Sequence, residues 1–269
     1  IAKVIIPDTI KTFEYSIFNY DTGIKELKVP ISLNLYSRFN NCSGITKIEY
    51  TKGTGSGVDY SNDSGSNSWY QATPMYYSSG NTMEVTMEEG ITSIGNYTFY
   101  YCKGLTTLNI PSTVTKIGVS AFSECSKWNS QVNLKQFNNI GSSAFYDCSS
   151  ITGDWELSSE LNVINSEVFY NCKKITGNLI LPENITSISE KAFYGCAGMT
   201  GELNLSKIKT IEANSFYGCS NLTGTLDLST VETIKSSAFS SCSKIAKVII
   251  PDTIKTFEYS IFNYDTGIK

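Results

Sequence analysis

Histidine is absent from the 269 residues, and arginine occurs once, as Arg38. The first absence removes imidazole acid–base catalysis, Ser-His and Cys-His nucleophile pairs, and every metal site that needs a histidine ligand. The second leaves little for bidentate grips on phosphate or carboxylate. Lysine and arginine number 21 against 25 aspartates and glutamates, a formal charge of -4 with a pI near 5.1. That balance lacks the basic footprint of a nucleic-acid binder. No run approaches the roughly 18 apolar residues of a membrane span. The opening Ile1-Ala2-Lys3-Val4-Ile5-Ile6-Pro7 has neither a start methionine nor a signal-peptide layout, so the chain reads as a fragment or processed product. What is present is 41% hydrophobic, 12% aromatic and 17% charged. That is too apolar for disorder and enough for a core.

Eight cysteines act as a ruler, at 42, 102, 125, 148, 172, 196, 219 and 242. From Cys102 the spacings are 23, 23, 24, 24, 23 and 23, and a phenylalanine stands three residues before each cysteine. Phe18 and Phe262 keep the same phase with Asp21 and Asp265 in the thiol slot. A fixed period of this size signals stacked coils. Within one coil, Leu108 and Ile110 alternate with Thr107 and Asn109, the pattern of a strand buried on one face. Pro111 closes that strand because it cannot donate to a ladder. Ile117-Gly118 then turns the chain, and Val119–Ser123 is long enough for one helical or 3₁₀ turn. Later coils carry one extra residue, as in Ile175-Thr-Gly-Asn and Leu222-Thr-Gly-Thr, where glycine suits a tight turn or bulge. Stacking about ten coils at roughly 4.8 Å gives a continuous core about 50 Å long.

One segment breaks the period. Phe39 to Phe99 spans two coils plus a surplus, with strands expected at Ile45–Tyr50 and Met83–Met87 and an irregular insertion at 51–81 between them. At longer range, Ile1–Lys25 and Ile245–Lys269 are identical letter for letter. Neighbouring coils share only anchor positions, so this is a second, larger period. The chain reads as a single solenoid, 1–269, whose residues 245–269 open a second large unit; artificial joining of segments is the alternative. Neither edge carries the polar cap that solenoids need, which predicts a longer parent and end-to-end self-stacking.

The run Ile117-Gly-x-x-Ala121-Phe122-x-x-Cys125, preceded by Leu-x-x-Leu-x-Ile-Pro, resembles the BspA-like leucine-rich repeat. The resemblance implies a β-rich leucine-rich-repeat solenoid of the α/β horseshoe type. Its coil is right-handed, with a parallel β-sheet on the concave face and short helical or 3₁₀ turns on the convex side. It also implies a secreted or cell-surface adhesin binding a host or neighbouring-cell surface or matrix protein, with no catalytic activity common to the family.

Candidate chemistry is sparse, and no cofactor, metal or catalytic residue is expected. Stacked thiols of equal phase project parallel Cβ vectors, so a column of free buried cysteines is favoured over disulfides or a metal cage. Tyr100, Tyr146, Tyr170, Tyr194 and Tyr217 form a second column, read as rings covering one another. The default binding surface is the strand face, through Thr107, Asn109, Gln131, Asn133, Asp154, Glu156, Asn178, Glu202, Asn204, Thr225 and Asp227. Its carboxylates could attract a cation or basic partner, but a shallow sheet lacks the pocket that glycoside hydrolysis needs. In the insertion, Tyr60, Trp69, Tyr70, Tyr76 and Tyr77 are candidate contacts for a protein or glycan. The favoured function is a non-enzymatic extracellular repeat scaffold or adhesin, or part of a tandem fibre. The alternative is a carbohydrate-binding or substrate-docking region of a larger secreted enzyme.

Overall fold

The computed structural model describes residues 1–268 except 13, 15, 36, 37, 40 and 59–81. The alternating segments do form strands, and they pair in parallel with the neighbouring coil. Lys3–Ile5, Glu26–Pro30, Lys47–Thr51, Met83–Met87 and Leu105–Leu108 make a five-stranded sheet in chain order. Two of these are the strands expected on either side of the insertion. Farther along, the ladder thins to isolated bridges and two pairs, Gly153–Glu156 with Ile175–Ile180 and Gly224–Asp227 with Ile245–Ile249.

The thinning follows from the extra residue. Gly153, Gly177, Gly201 and Gly224 all take positive φ, at 144°, 91°, 77° and 77°. Such a left-handed bulge accommodates the added residue, and the pairing register shifts beside it.

Sequence reading takes Ile117-Gly118 as a simple bend, yet it belongs to a second ladder. Ser93–Ile94, Lys116–Ile117 and Asn139–Ile140 form one parallel sheet. Ser187–Ile188, Thr210–Ile211, Thr233–Ile234 and Thr256–Phe257 form another, with Ile164 bridging to Ile188. Each pair before the final one buries its isoleucine and leaves the preceding polar residue exposed or half-buried.

The expected helical turn at Val119–Ser123 does not form. Instead, the residues two before and two after each phenylalanine are left-handed: Ser120 and Glu124 (φ 50° and 67°), Ser143 and Asp147 (53° and 54°), Glu167 and Asn171 (56° and 57°). A non-glycine residue held there costs on the order of 1 kcal/mol. The compensation is a hydrogen-bond ladder between coils, with Phe122 N donating to Ala144 O at 2.8 Å and Glu124 N to Tyr146 O at 2.7 Å. Amides committed to the next coil cannot make helical bonds. Among the described residues one 3₁₀ helix occurs, Leu134–Gln136, directly after the strand position.

Inside the coil stand two columns. The phenylalanine rings stack from Phe99 to Phe239 with centroids 5.0–5.7 Å apart and interplanar angles of 2–17°. Beside them all eight thiols are free and buried. All but Cys102 reach back one coil: Cys125 Sγ donates to Phe99 O at 3.1 Å, Cys148 to Phe122 O at 3.0 Å and Cys172 to Phe145 O at 3.2 Å. Burial pushes the Cys102 thiol up to about 12 and drives Cys125, Cys148 and Cys172 well above the ordinary range. These thiols are structural, because an unavailable thiolate is unreactive.

Candidate functional site

The strand-bearing face changes character where two tryptophans enter the core. Trp128 fills the first anchor slot of its coil, and its indole donates to Leu108 O at 3.1 Å; Trp155 lies one coil on and donates to Ile175 O at 3.1 Å. Both rings are fully buried. Between the strands Leu105–Leu108 and Gly153–Glu156 the intervening coil contributes a single bridge, Gln131 to Thr152. The chain there closes into the 3₁₀ helix, whose first turn is capped by the Asn133 side chain accepting from Lys135 N at 3.2 Å.

Lys135 is thereby aimed at the next coil, where its ammonium meets Glu156 Oε1 at 2.5 Å. A shallow recess of about 100 Å³ lies on one side of this pair, against Gln131, Asn133 and Asp154. A larger open trough of about 560 Å³ lies on the other, floored by Leu157 and Leu181 and edged by Glu160, Ile180 and Glu183. Ile180 is 55% exposed. The trough therefore combines an apolar edge, an ion pair and flanking carboxylates. Such a surface suits a protein segment better than a small molecule, which needs enclosure.

Of the eleven strand-face candidates, nine are exposed, while Glu156 and Thr225 are half-buried. The structure gathers Gln131, Asn133, Asp154 and Glu156 around the recess. Asn204 and Asp227 line a separate hollow of about 130 Å³, two to three coils away. The carboxylates do not act as one acidic patch. Glu202 accepts from Thr225 N at 2.6 Å, and Asp227 accepts from Ser229 N at 2.9 Å. Hydrogen bonds from the Ser229 hydroxyl and amide lower the pKa of Asp227. Asp154 is the one of the four without a partner among the described residues. Thr107 and Asn109 lie on the five-stranded sheet side of the break, and Asn178 packs toward Gly201.

Lys135 and Glu183 are absent from the strand-face candidates, whereas Ile180 flanks its strand beside Asn178, as the alternation predicts. A usable signal existed: a lysine and a glutamate about one coil apart, as also at Lys3–Glu26 and Lys28–Glu49. The insertion candidates Tyr60, Trp69, Tyr70, Tyr76 and Tyr77 lie outside the described residues. In the tyrosine column, Tyr146, Tyr170, Tyr194 and Tyr217 stack at 4.4, 4.5 and 4.6 Å, half-buried as rings covering one another. Tyr100 packs on Tyr97 instead, at 5.6 Å.

The chain matches the family model of the BspA type leucine rich repeat region in six copies, over residues 1–61, 73–200 and 153–269. No curated protein matches it. Among solved structures it is similar to a leucine-rich repeat protein from Bacteroides ovatus, at 19% identity, over 99% of this chain and 85% of that one, with a TM-score of 0.47. It is also similar to a leucine rich cell surface protein from Faecalibacterium prausnitzii, at 18% identity over 99% and 86% of the two chains, with a TM-score of 0.52. The second likeness establishes a shared fold.

Proposed function

The chain belongs to the BspA-type leucine-rich repeat family, and on that premise we propose that it is a non-enzymatic, extracellular protein-binding scaffold that acts as an adhesin. The partner is a surface or matrix protein of a host or neighbouring cell. The observation that carries this reading is the trough beside Lys135–Glu156, along which Ile180 at the end of its strand is exposed. Repeat arrays dock partners on extended surfaces rather than in pockets. An exposed aliphatic beside a salt-bridged rim supplies the apolar centre and polar margin of a protein interface. The solved relative from Faecalibacterium prausnitzii is described as a cell surface protein, which supports the location.

The test is binding of the purified chain to immobilised matrix glycoproteins. Ile180→Asp and the double charge reversal Asp154→Lys with Glu156→Lys should each reduce binding at least tenfold, with the far-ultraviolet spectrum unchanged. Truncating or charging an interface anchor costs at least about 1–2 kcal/mol, which corresponds to this loss. Binding that survives both variants, or none to any such protein, refutes the assignment.

A further inference from the structure

The identical segments Ile1–Lys25 and Ile245–Lys269 allow one coil sequence to be seen from both sides. In the first copy it is covered by the following coil. Val4 pairs with Leu27, Ile6 N donates to Lys28 O at 2.9 Å, and Phe18 N donates to Arg38 O at 3.2 Å. The Phe18 and Phe39 rings stack at 5.0 Å, and Lys3 meets Glu26 at 3.0 Å. In the second copy the same sequence is covered by the preceding coil. Leu228 N donates to Ile249 O at 3.0 Å, Phe239 N to Ile261 O at 3.0 Å, and Ser241 N to Asn263 O at 2.8 Å. The Phe262 ring stacks on Phe239 at 6.1 Å.

The groups used on the two sides do not overlap. Alternate residues of a parallel strand bond to opposite neighbours. Ile6 and Phe18 serve the following coil, whereas Ile249, Ile261 and Asn263, which repeat Ile5, Ile17 and Asn19, serve the preceding one. Side-chain exposure follows the same division. Ile6 is 8% exposed under its following coil, and its repeat Ile250 is 50% exposed. Ile17 is 52% exposed, and its repeat Ile261 is 3% exposed against the preceding coil.

We propose that this coil is an interchangeable joint, and that Ile245–Lys269 of one copy of this chain takes the place of Ile1–Lys25 on the coil 26–48 of a second copy. The joint coil is then covered on both sides by packing already present in the molecule. Lys247 would meet the second copy's Glu26 as Lys3 does within the chain. The contact is heterologous, head to tail, so it leaves a joint at each end of the assembly and propagates as a filament, or as a ring where the rotation between copies closes. Its competitor is the chain's own first coil, which binds with the advantage of being tethered. The joint lies far along the array from the Lys135–Glu156 trough, so either proposal can fail without the other.

Sedimentation velocity of the 269-residue chain and three single variants, across a wide concentration range, tests the exchange. Ile250→Asp sits on an exposed position and leaves the fold intact, but would place an unpaired carboxylate in the joint. It should weaken association on the order of 100-fold. Ile6→Asp loosens the tethered competitor and should strengthen association, even where the parent chain stays at its monomer mass of 29.6 kDa. Ile1→Asp changes a side chain that leaves the joint on exchange, and should not weaken association. Monomers at every concentration for both the parent and Ile6→Asp overturn the proposal. So does association that survives Ile250→Asp, or that Ile1→Asp abolishes, the latter marking simple end-on stacking instead.

Discussion

Removing one ring from the middle of the phenylalanine column should cost more than the same deletion at its end, and should divide the array. Phe169 is fully buried, with Phe145 and Phe193 stacked 5.7 Å away on either side and the Trp155 ring edge-on at 5.3 Å. Phe169→Ala leaves a cavity that rigid coils above and below cannot collapse. A buried Phe→Ala change costs about 3–5 kcal/mol, and the loss of three ring contacts puts this one near the upper end. Phe262 is half-buried, with Phe239 at 6.1 Å and Phe257 at 6.3 Å as its ring neighbours, so Phe262→Ala should cost less than half as much. Because stability in a stacked array is a sum of nearest-neighbour interfaces, weakening two adjacent ones uncouples the halves. Urea unfolding followed by circular dichroism and by tryptophan fluorescence, in a Trp69→Phe background, reads both effects. With a urea dependence of about 2–3 kcal/mol per molar, the Phe169→Ala midpoint should fall by roughly 1.5–2 M. The two probes should also separate into distinct transitions. Equal losses for the two variants, or a Phe169→Ala loss below about 1 kcal/mol, would refute the idea that the column couples the coils.

Other consequences are checkable with simpler means. The buried thiols should resist an aromatic disulfide reagent in the native state and titrate as eight on unfolding, since burial holds them protonated; rapid native labelling of Cys148 or Cys172 would contradict this. Glycine replacements in the bulge column should rank by contact. At Gly153 a new Cβ would lie 2.4 Å from the Val132 carbonyl oxygen, whereas at Gly177 nothing lies within 4 Å, so Gly153→Ala should lower the melting temperature more than Gly177→Ala. Asp265 occupies a thiol slot with both carboxylate oxygens buried and unbonded among the described residues, and burial raises its pKa from 3.8 to about 6. At this group the folded state thus binds more protons than the unfolded state between those values, so the contribution of Asp265 to stability should be highest below about pH 4 and fall as pH rises to 6. Asp265→Cys, which restores the S–H donor seen at Cys242 toward Phe216 O, should flatten that slope in thermal melts.

Much of the architecture was written in the one-dimensional order of residues. Stacking places every residue of one phase in the same environment, so the Phe–Cys spacing alone identifies the phenylalanine and thiol columns and the coil period; the alternation of Thr107–Ile110 locates a strand, although the ladder holds Leu105–Leu108 and releases Ile110. The extra glycine of the later coils was equally legible, because positive φ favours that residue. Other features depended on contacts between coils and left a weaker trace or none. The second ladder uses strands of two residues, too short to alternate. The left-handed turns fall mostly on serine, tyrosine, glutamate and lysine, which do not announce positive φ, with asparagine, aspartate or glycine in only some coils, and exist because their amides bond to the next coil. The Lys135–Glu156 pair joins residues 21 apart in neighbouring coils, and the trough beside it is lined by residues of three coils, from Lys135 through Glu160 to Glu183. Sequence order determines what recurs in a stacked array. What forms between unlike neighbours, where one coil meets another of different length or bulk, is decided by the packing.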